Sequence, residues 1–241
     1  MSSSLDTRSS SLSYWAIVPA AGVGSRMNTG IPKQYLSLCG DAVITHTLKR
    51  LAAHPSINGI MVAVSETDSL WSELEIELSK PLYSTYGGRE RCHSVLNALR
   101  ALSEYAGDDD WVLVHDAARP CVRAEDLNLL IDSLKDDAVG GLLALPVKDT
   151  MKRATDDRQV IDTVERKNLW HAFTPQMFHL AMLRDALEQA IEIGAIVTDE
   201  SSAMEMAGHQ PKLIESHADN IKITTPEDLA LAEFYIRQQE K

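Results

Sequence analysis

Short apolar runs, each halted by a glycine-bearing or polar loop, alternate along this chain with segments whose apolar residues recur at helical spacing. Trp15-Ala-Ile-Val-Pro19, Gly59–Val64, Leu82–Tyr86, Trp111–His115 and Gly140–Pro146 are the runs. They are too short for buried helices and are bounded by turn residues, so they read as buried strands. Between them, Asp68 to about Ser79 reads as a helix. Cys92, Val95, Leu96, Leu99 and Leu102 give a second helical face, and Leu127, Leu130, Ile131 and Leu134 a third. Strands that alternate with helices of about 10 to 15 residues need crossover connections, so the expected fold is α/β, a doubly wound and mostly parallel sheet. In such sheets ligands bind beyond the carboxyl ends of the strands. The loops at 20–26, 87–91 and 116–120 each follow a strand directly and should meet at one edge.

The alternation breaks at Asp149–Asn168. Thr150-Met-Lys-Arg153 and Val160-Ile-Asp-Thr-Val164 flank Ala154-Thr-Asp-Asp-Arg158 and read as a hairpin. It has too few apolar residues to stand alone in water, so it is expected to find a partner sheet and act as a dimerisation arm over 149–168. The chain closes with an expected strand at Ile221-Lys-Ile223 and a helix started by Thr225-Pro226-Glu227, with Pro at its first turn. The 241 residues suffice for one domain, read as 14–241 behind a Ser-rich, disordered tail at 1–13 that lacks the apolar stretch of a secretory signal.

Charge narrows the function. Lys plus Arg is 23 against 35 for Asp plus Glu, a net −12, which repels a phosphate backbone and argues against nucleic-acid binding. No apolar run approaches the roughly 20 residues of a membrane span. Cys39, Cys92 and Cys121 lie far apart without zinc-ligand spacing, and their odd number fits a reducing cytoplasm. Any cluster of cations would therefore stand out locally.

One such cluster follows the first strand. In Pro19-Ala20-Ala21-Gly22-Val-Gly24-Ser-Arg26-Met27, small residues let backbone N–H groups approach an anion, and Arg26 adds a forked donor suited to phosphate. Lys33, after Pro32, is a second candidate clamp. A dinucleotide fingerprint would need glycine where Met27 stands, and the Gly-Lys-Ser/Thr of a P-loop is absent.

These residues, with Pro32-Lys33-Gln34-Tyr35, resemble the opening of nucleotidyltransferases that make activated sugars and polyols. Val112-Leu-Val-His-Asp116-Ala-Ala-Arg119-Pro120, Asp149-Thr150, Leu169–Gln176, Thr198-Asp-Glu200 and Ala218-Asp-Asn-Ile-Lys222 extend the likeness. As a set in one order they resemble the 2-C-methyl-D-erythritol 4-phosphate cytidylyltransferase family, from Trp15 to Ile236. The resemblance implies a Rossmann-like nucleotidyltransferase fold with a protruding β-hairpin, and transfer of a cytidylyl group from CTP to methylerythritol phosphate with Mg²⁺.

Residue by residue, it implies that Arg26 and Lys33 grip the triphosphate and act with Lys222 in catalysis. Pro19, Ala20, Ala21, Gly22, Gly24, Gly88, Ser94, Asp116 and Ala117 would line the nucleotide site, with Asp116 also holding the metal. Arg119, Thr150, Thr198 and Lys222 would bind the polyol phosphate together with Asp116. Arg166 would reach it from the second copy of a homodimer. Arg89 stands where the family often has an acidic residue. Other readings compete: a ribitol 5-phosphate cytidylyltransferase, a nicotinamide-dependent oxidoreductase, or a CTP-binding sensor. From the residues alone, Lys222 between two isoleucines reads as an outward, solvated lysine, and a solvent-facing Ser94 is the alternative to its nucleotide contact. His115 reads as a packed core histidine, and His46 and His93 as lying on helix surfaces.

Overall fold

The computed structural model describes residues 12–22 and 31–240. β1 (Tyr14–Pro19) is followed by a single 3-10 turn at Lys33–Tyr35, the short pair β2 (Ser37–Leu38) and β3 (Asp41–Ala42), and α1 (Val43–Ala53). Next come β4 (Ile57–Val64), α2 (Ser69–Glu73), β5 (Leu82–Tyr86), α3 (Arg91–Leu102), β6 (Trp111–Val114), α4 (Ala124–Leu134) and β7 (Gly140–Pro146). The hairpin β8 (Met151–Ala154) and β9 (Val160–Val164) precedes β10 (Trp170–His179), α5 (Leu180–Glu192), α6 (Glu200–Met206), β11 (Lys212–Glu215) and α7 (Pro226–Gln239).

Seven strands form one sheet in the order β11-β7-β10-β6-β1-β4-β5. β10 runs antiparallel to both of its neighbours, and every other pairing is parallel. The expected doubly wound, mostly parallel sheet is therefore the observed one. β1 shows why its run is apolar throughout. Ala16 and Val18 pack on Ile44, Leu48 and Leu51 of α1 and Leu127, Leu130 and Leu134 of α4. Trp15 and Ile17 face the other way, onto Val95 and Leu99 of α3, Leu183 and Leu187 of α5 and Met204 of α6. A central strand covered on both sides has no polar face to show. Each such aliphatic side chain taken fully from water is worth about 1.5–3 kcal/mol.

Two expected elements differ. The helix foreseen from Asp68 to Ser79 stops at Glu73. Beyond it the chain alternates in twos: Leu74, Ile76 and Leu78 pack on the core while Glu75 and Glu77 are exposed, which is the period of extended chain. Ile221–Ile223 is not a strand either. Ile221 N–H bonds locally to Asp219 O at 2.7 Å, Ile223 N–H donates to Ala118 O after β6 at 2.8 Å, and the preceding Asn220 O accepts from Arg119 at 2.6 Å. The hairpin forms as expected, one residue later at its start, and its strands are exposed along nearly their whole length. Residues 1–11 of the foreseen tail lie outside the described residues, while Ser13 is tied to Asp110 through its N–H at 2.8 Å.

Candidate active site

β6 and β1 are neighbours in the sheet and β5 lies one strand beyond β1, past β4; the loops leaving their carboxyl ends enclose a cavity of about 210 Å³. It is lined by Pro19, Ala20, Ala21 and Gly22 after β1, by Gly88–Arg91 and Ser94 at the start of α3, and by Asp116–Ala118 after β6. Lys33, Gln34 and Lys222 complete the wall. Local hydrogen bonds hold the loops in place. Gln34, buried, donates to Ala20 O at 2.8 Å and Gly22 O at 3.2 Å, pinning the loop after β1. Ser94 is buried rather than solvent-facing: its hydroxyl accepts from Gly88 N–H at 3.0 Å and donates to Glu90 O at 3.1 Å. A side chain at Gly88 would put its Cβ 2.4 Å from that of His93, so only glycine lets this loop lie against α3.

Asp116 is the electrostatic centre. Oδ1 accepts from Arg91 Nε at 3.1 Å, and Oδ2 from Lys222 Nζ at 2.9 Å and Arg119 Nε at 3.4 Å. Burial alone would raise its pKa, but the charges of Arg91, Lys222 and Arg119 outweigh burial and hold the carboxyl far below its usual range. The remaining guanidinium nitrogens of Arg91 close on Glu200, Nη1 to Oε1 at 2.6 Å and Nη2 to Oε2 at 3.0 Å. Burial opposes the Arg91 charge, yet Glu200 and Asp116 together raise its pKa. Burial likewise pushes the Glu200 carboxyl upward, against the pull of Arg91.

Beneath Asp116 a second layer fixes the turn. Thr174 Oγ1 accepts from Asp116 N–H at 3.1 Å and lies 3.0 Å from His115 Nδ1. His115 Nε2 lies 3.0 Å from Arg119 O. With the threonine hydroxyl donating to Nδ1 and Nε2–H donating to the carbonyl, every group is satisfied by a neutral imidazole. His115 is thus the core histidine expected, its pKa lowered by burial to about 4. Arg119 stacks on Phe173 at 4.8 Å and donates to Asn220 O, so its guanidinium lies behind the cavity wall rather than in it.

Of the residues singled out from sequence, Pro19, Ala20, Ala21, Gly22, Lys33, Gly88, Ser94, Asp116, Ala117 and Lys222 line this one cavity. Lys222 turns inward to Asp116, not outward, beside Ile223, whose N–H is bound to the loop after β6. Lys33 reaches the same segment, Nζ donating to Ile223 O at 2.9 Å. Gly24 and Arg26 lie outside the described residues. Thr150, Arg166 and Thr198 are exposed and do not line the cavity. Arg166 Nη1 donates to Lys148 O at the base of the hairpin.

Sequence reasoning missed Arg91, Glu200, Gln34 and Thr174. Arg91 could have been sought as the cation at the helix start after Gly87-Gly88. Glu200 belongs to the Thr198-Asp-Glu200 stretch of the resemblance, but nothing local points to its pairing, since only the fold brings it to a residue 109 positions away.

The family model described as 2-C-methyl-D-erythritol 4-phosphate cytidylyltransferase matches residues 14–238. The protein of that name from Vibrio vulnificus (strain CMCP6) is 51% identical over 224 residues, covering 93% of this chain and 94% of its own. The one from Pseudomonas aeruginosa is 51% identical over 217 residues, covering 90% and 93%. The crystal structure of the Francisella tularensis 2-C-methyl-D-erythritol 4-phosphate cytidylyltransferase superposes with a TM-score of 0.80 at 36% identity, over 92% of this chain and 99% of that one.

Proposed function

Because the chain belongs to the 2-C-methyl-D-erythritol 4-phosphate cytidylyltransferase family, and so joins CTP to methylerythritol phosphate in isoprenoid precursor synthesis, we propose that the cavity around Asp116 is where the transfer takes place. The observation that carries this is one cavity in which Arg91 and Lys222 pair with the Asp116 carboxylate and Lys33 lines the wall, at the carboxyl edge of the sheet of a strongly acidic chain.

The acceptor is a phosphate monoester, already anionic at neutral pH, so its oxygen attacks the α-phosphorus of CTP in line without needing a strong base, and pyrophosphate leaves. The barrier lies in bringing two polyanions together, which cationic clamps lower by positioning and by neutralising charge at the reacting phosphates. Lys33 and Arg26 hold the triphosphate, Lys222 stands beside the acceptor, and Gly88, Ser94 and the loop at Pro19–Gly24 take the nucleoside. Asp116 orients Lys222 and Arg91 and contacts the acceptor's hydroxyls. Arg119 fixes Asp116 from behind, while Thr150 and Thr198 approach the polyol phosphate from the rim.

Mg²⁺ suits this donor set. It uses one or two carboxylates together with substrate phosphates, and Asp116 is an ionised carboxylate on the cavity wall with lone pairs beyond those its cations engage. When bound, the ion supplies further neutralisation of the phosphate charge.

The exposed hairpin supports a homodimer in which residues 149–168 of each copy carry Arg166 to the other's acceptor site. Three unpaired cysteines support a cytoplasmic setting. The acidic surface supports small-molecule substrates rather than nucleic acid, and among the described residues no helix is long and apolar enough to cross a membrane.

The experiment is pyrophosphate release from CTP and Mg²⁺ with 2-C-methylerythritol 4-phosphate, ribitol 5-phosphate or no acceptor. Release with the methylerythritol compound, lost in Lys222→Ala, supports the cavity as the site. Undiminished release in Lys222→Ala would overturn that placement. Release with ribitol 5-phosphate alone would overturn the acceptor.

A further inference from the structure

Three donor side chains at the start of α3 stand apart from the network around Asp116. The carboxylate of Glu90, the sulfur of Cys92 and an imidazole nitrogen of His93 lie within 4.8 Å of one another, the one such group of three among the described residues. Glu90 is the N-cap of α3, yet its carboxylate makes no capping hydrogen bond, and the residue borders the cavity. Cys92 is buried and His93 half-buried, so the sulfur and the ring are held by packing rather than free to wander.

The separation of the two fixed donors is informative. Cys92 Sγ and His93 Nδ1 are 3.7 Å apart. Zinc–sulfur and zinc–nitrogen bonds of about 2.3 and 2.05 Å, set at the tetrahedral angle, place sulfur and nitrogen about 3.6 Å from each other. Their separation therefore already suits one tetrahedral ion. The exposed Glu90 carboxylate, within 4.8 Å of both, closes in to complete the set. A thiolate, an imidazole and one carboxylate select a borderline-soft cation over a hard one. The neighbouring Arg91 is already matched by Glu200 and Asp116, so its charge is not aimed at the site.

We propose that Glu90, Cys92 and His93 form a three-ligand site for a divalent cation of the zinc kind at the rim of the nucleotide cavity. It is separate from Asp116 and from the Mg²⁺ of the transfer reaction. On binding, the Cys92 thiol gives its proton to solvent and its sulfur bonds the ion as thiolate, while water takes the fourth position. The inference does not depend on which acceptor the enzyme uses. Its rival is a plain S–H···N contact between Cys92 and His93.

The test uses the metal-stripped full chain with Co²⁺ as a spectroscopic probe, followed by Zn²⁺. The expected result is one Co²⁺ per chain with sulfur-to-cobalt charge-transfer absorption in the near ultraviolet, displaced by Zn²⁺ but not by excess Mg²⁺. The band should persist in Cys39→Ser, which removes the exposed thiol, and vanish in Cys92→Ala. His93→Ala and Glu90→Gln, at more accessible positions, should each weaken Zn²⁺ binding by at least about tenfold. They also keep the test open if Cys92→Ala fails to fold, with circular dichroism as the check. A wild-type protein without the band, a band lost in Cys39→Ser instead, displacement by Mg²⁺, or unchanged Zn²⁺ affinity in His93→Ala would each overturn the site.

Discussion

Arg91 and Glu200 meet as a two-pronged ion pair, Nη1 on Oε1 at 2.6 Å and Nη2 on Oε2 at 3.0 Å, with the Glu200 side chain 1% exposed. The fork leaves Nε alone to face Asp116. Glu200 thus decides how Arg91 presents itself to the cavity, although it does not itself line it.

Glu200→Gln keeps the shape but removes a buried charge, leaving the half-buried Arg91 guanidinium half-matched. Breaking a buried pair from one side costs about 3–5 kcal/mol. In a chain of this length that lowers the melting temperature on the order of 10 °C. Arg91→Lys keeps a charge but cannot hold Glu200 and Asp116 at once. Both variants should lose about a hundredfold in kcat/KM for CTP, comparable with removing one preorganised donor. Scanning calorimetry and pyrophosphate release check this, and full activity in Arg91→Lys would show that the fork is not needed.

Acid should weaken the fold through His115. Burial lowers its folded-state pKa to about 4 from an ordinary 6.5. Above pH 6.5 neither state is protonated and the stability is fully present. As pH falls from 6.5 toward 4 the unfolded chain takes up a proton that the native one refuses, so stability is lost across that window. Protonation would also require Nδ1 to give up the bond that Thr174 donates. His54, lowered chiefly by burial, adds a loss in the same direction. Urea melts from pH 7.5 to 5 should therefore show a falling midpoint, and His115→Gln should flatten the slope by up to about one proton's worth, roughly 1.4 kcal/mol per pH unit. An identical slope in that variant would remove His115 from the account.

How far the sequence could be read depends on where each signal lies. β1 and β6 were legible because a strand buried on both faces must be apolar throughout, and the loops after them because glycines and charges follow such runs directly. The stretch after Glu73 misled because Leu74, Ile76 and Leu78 lie near enough to Leu70 and Trp71 in sequence to pass for one helical face. Lys222 is drawn to the cavity in the sequence only by family resemblance. Its local pattern favours a strand, and what turns it inward is the pairing of Ile223 with Ala118, a contact over a hundred positions long. Glu200 shows the same limit.

Gly88 should resist even the smallest side chain. An added Cβ would meet the Cβ of His93 at 2.4 Å and its carbonyl carbon at 3.2 Å, so the loop or the first turn of α3 has to move. Overpacking of this kind costs about 1–3 kcal/mol. The moved loop also shifts the N–H that Ser94 accepts from. Gly88→Ala should raise KM for CTP at least tenfold, since 1.4 kcal/mol of lost binding is a factor of about ten. Gly107→Ala, in a turn where the nearest atom is 3.9 Å away, should change neither stability nor KM and serves as the control.

The proposed homodimer rests on the hairpin, which would carry Arg166 to a second copy's site. Among the described residues β8 and β9 pair only with each other, and Val160 and Ile161 are 63% and 58% exposed at their outer strand. Replacing both with Asp should leave the monomer folded and shift sedimentation equilibrium from dimer to monomer, since neither residue belongs to the core. Arg166 gives a sharper test. Lys222→Ala disables a chain's own cavity, whereas Arg166→Ala disables the cavity of its partner if the arm acts across the interface. Mixing the two inactive variants makes about half of the dimers mixed, and each mixed dimer then holds one intact site of two. Activity should therefore recover to about a quarter of wild type, as an exchanging twofold dimer requires. An arm that serves its own chain would put both intact residues in no single site, and the mixture would stay as inactive as its components.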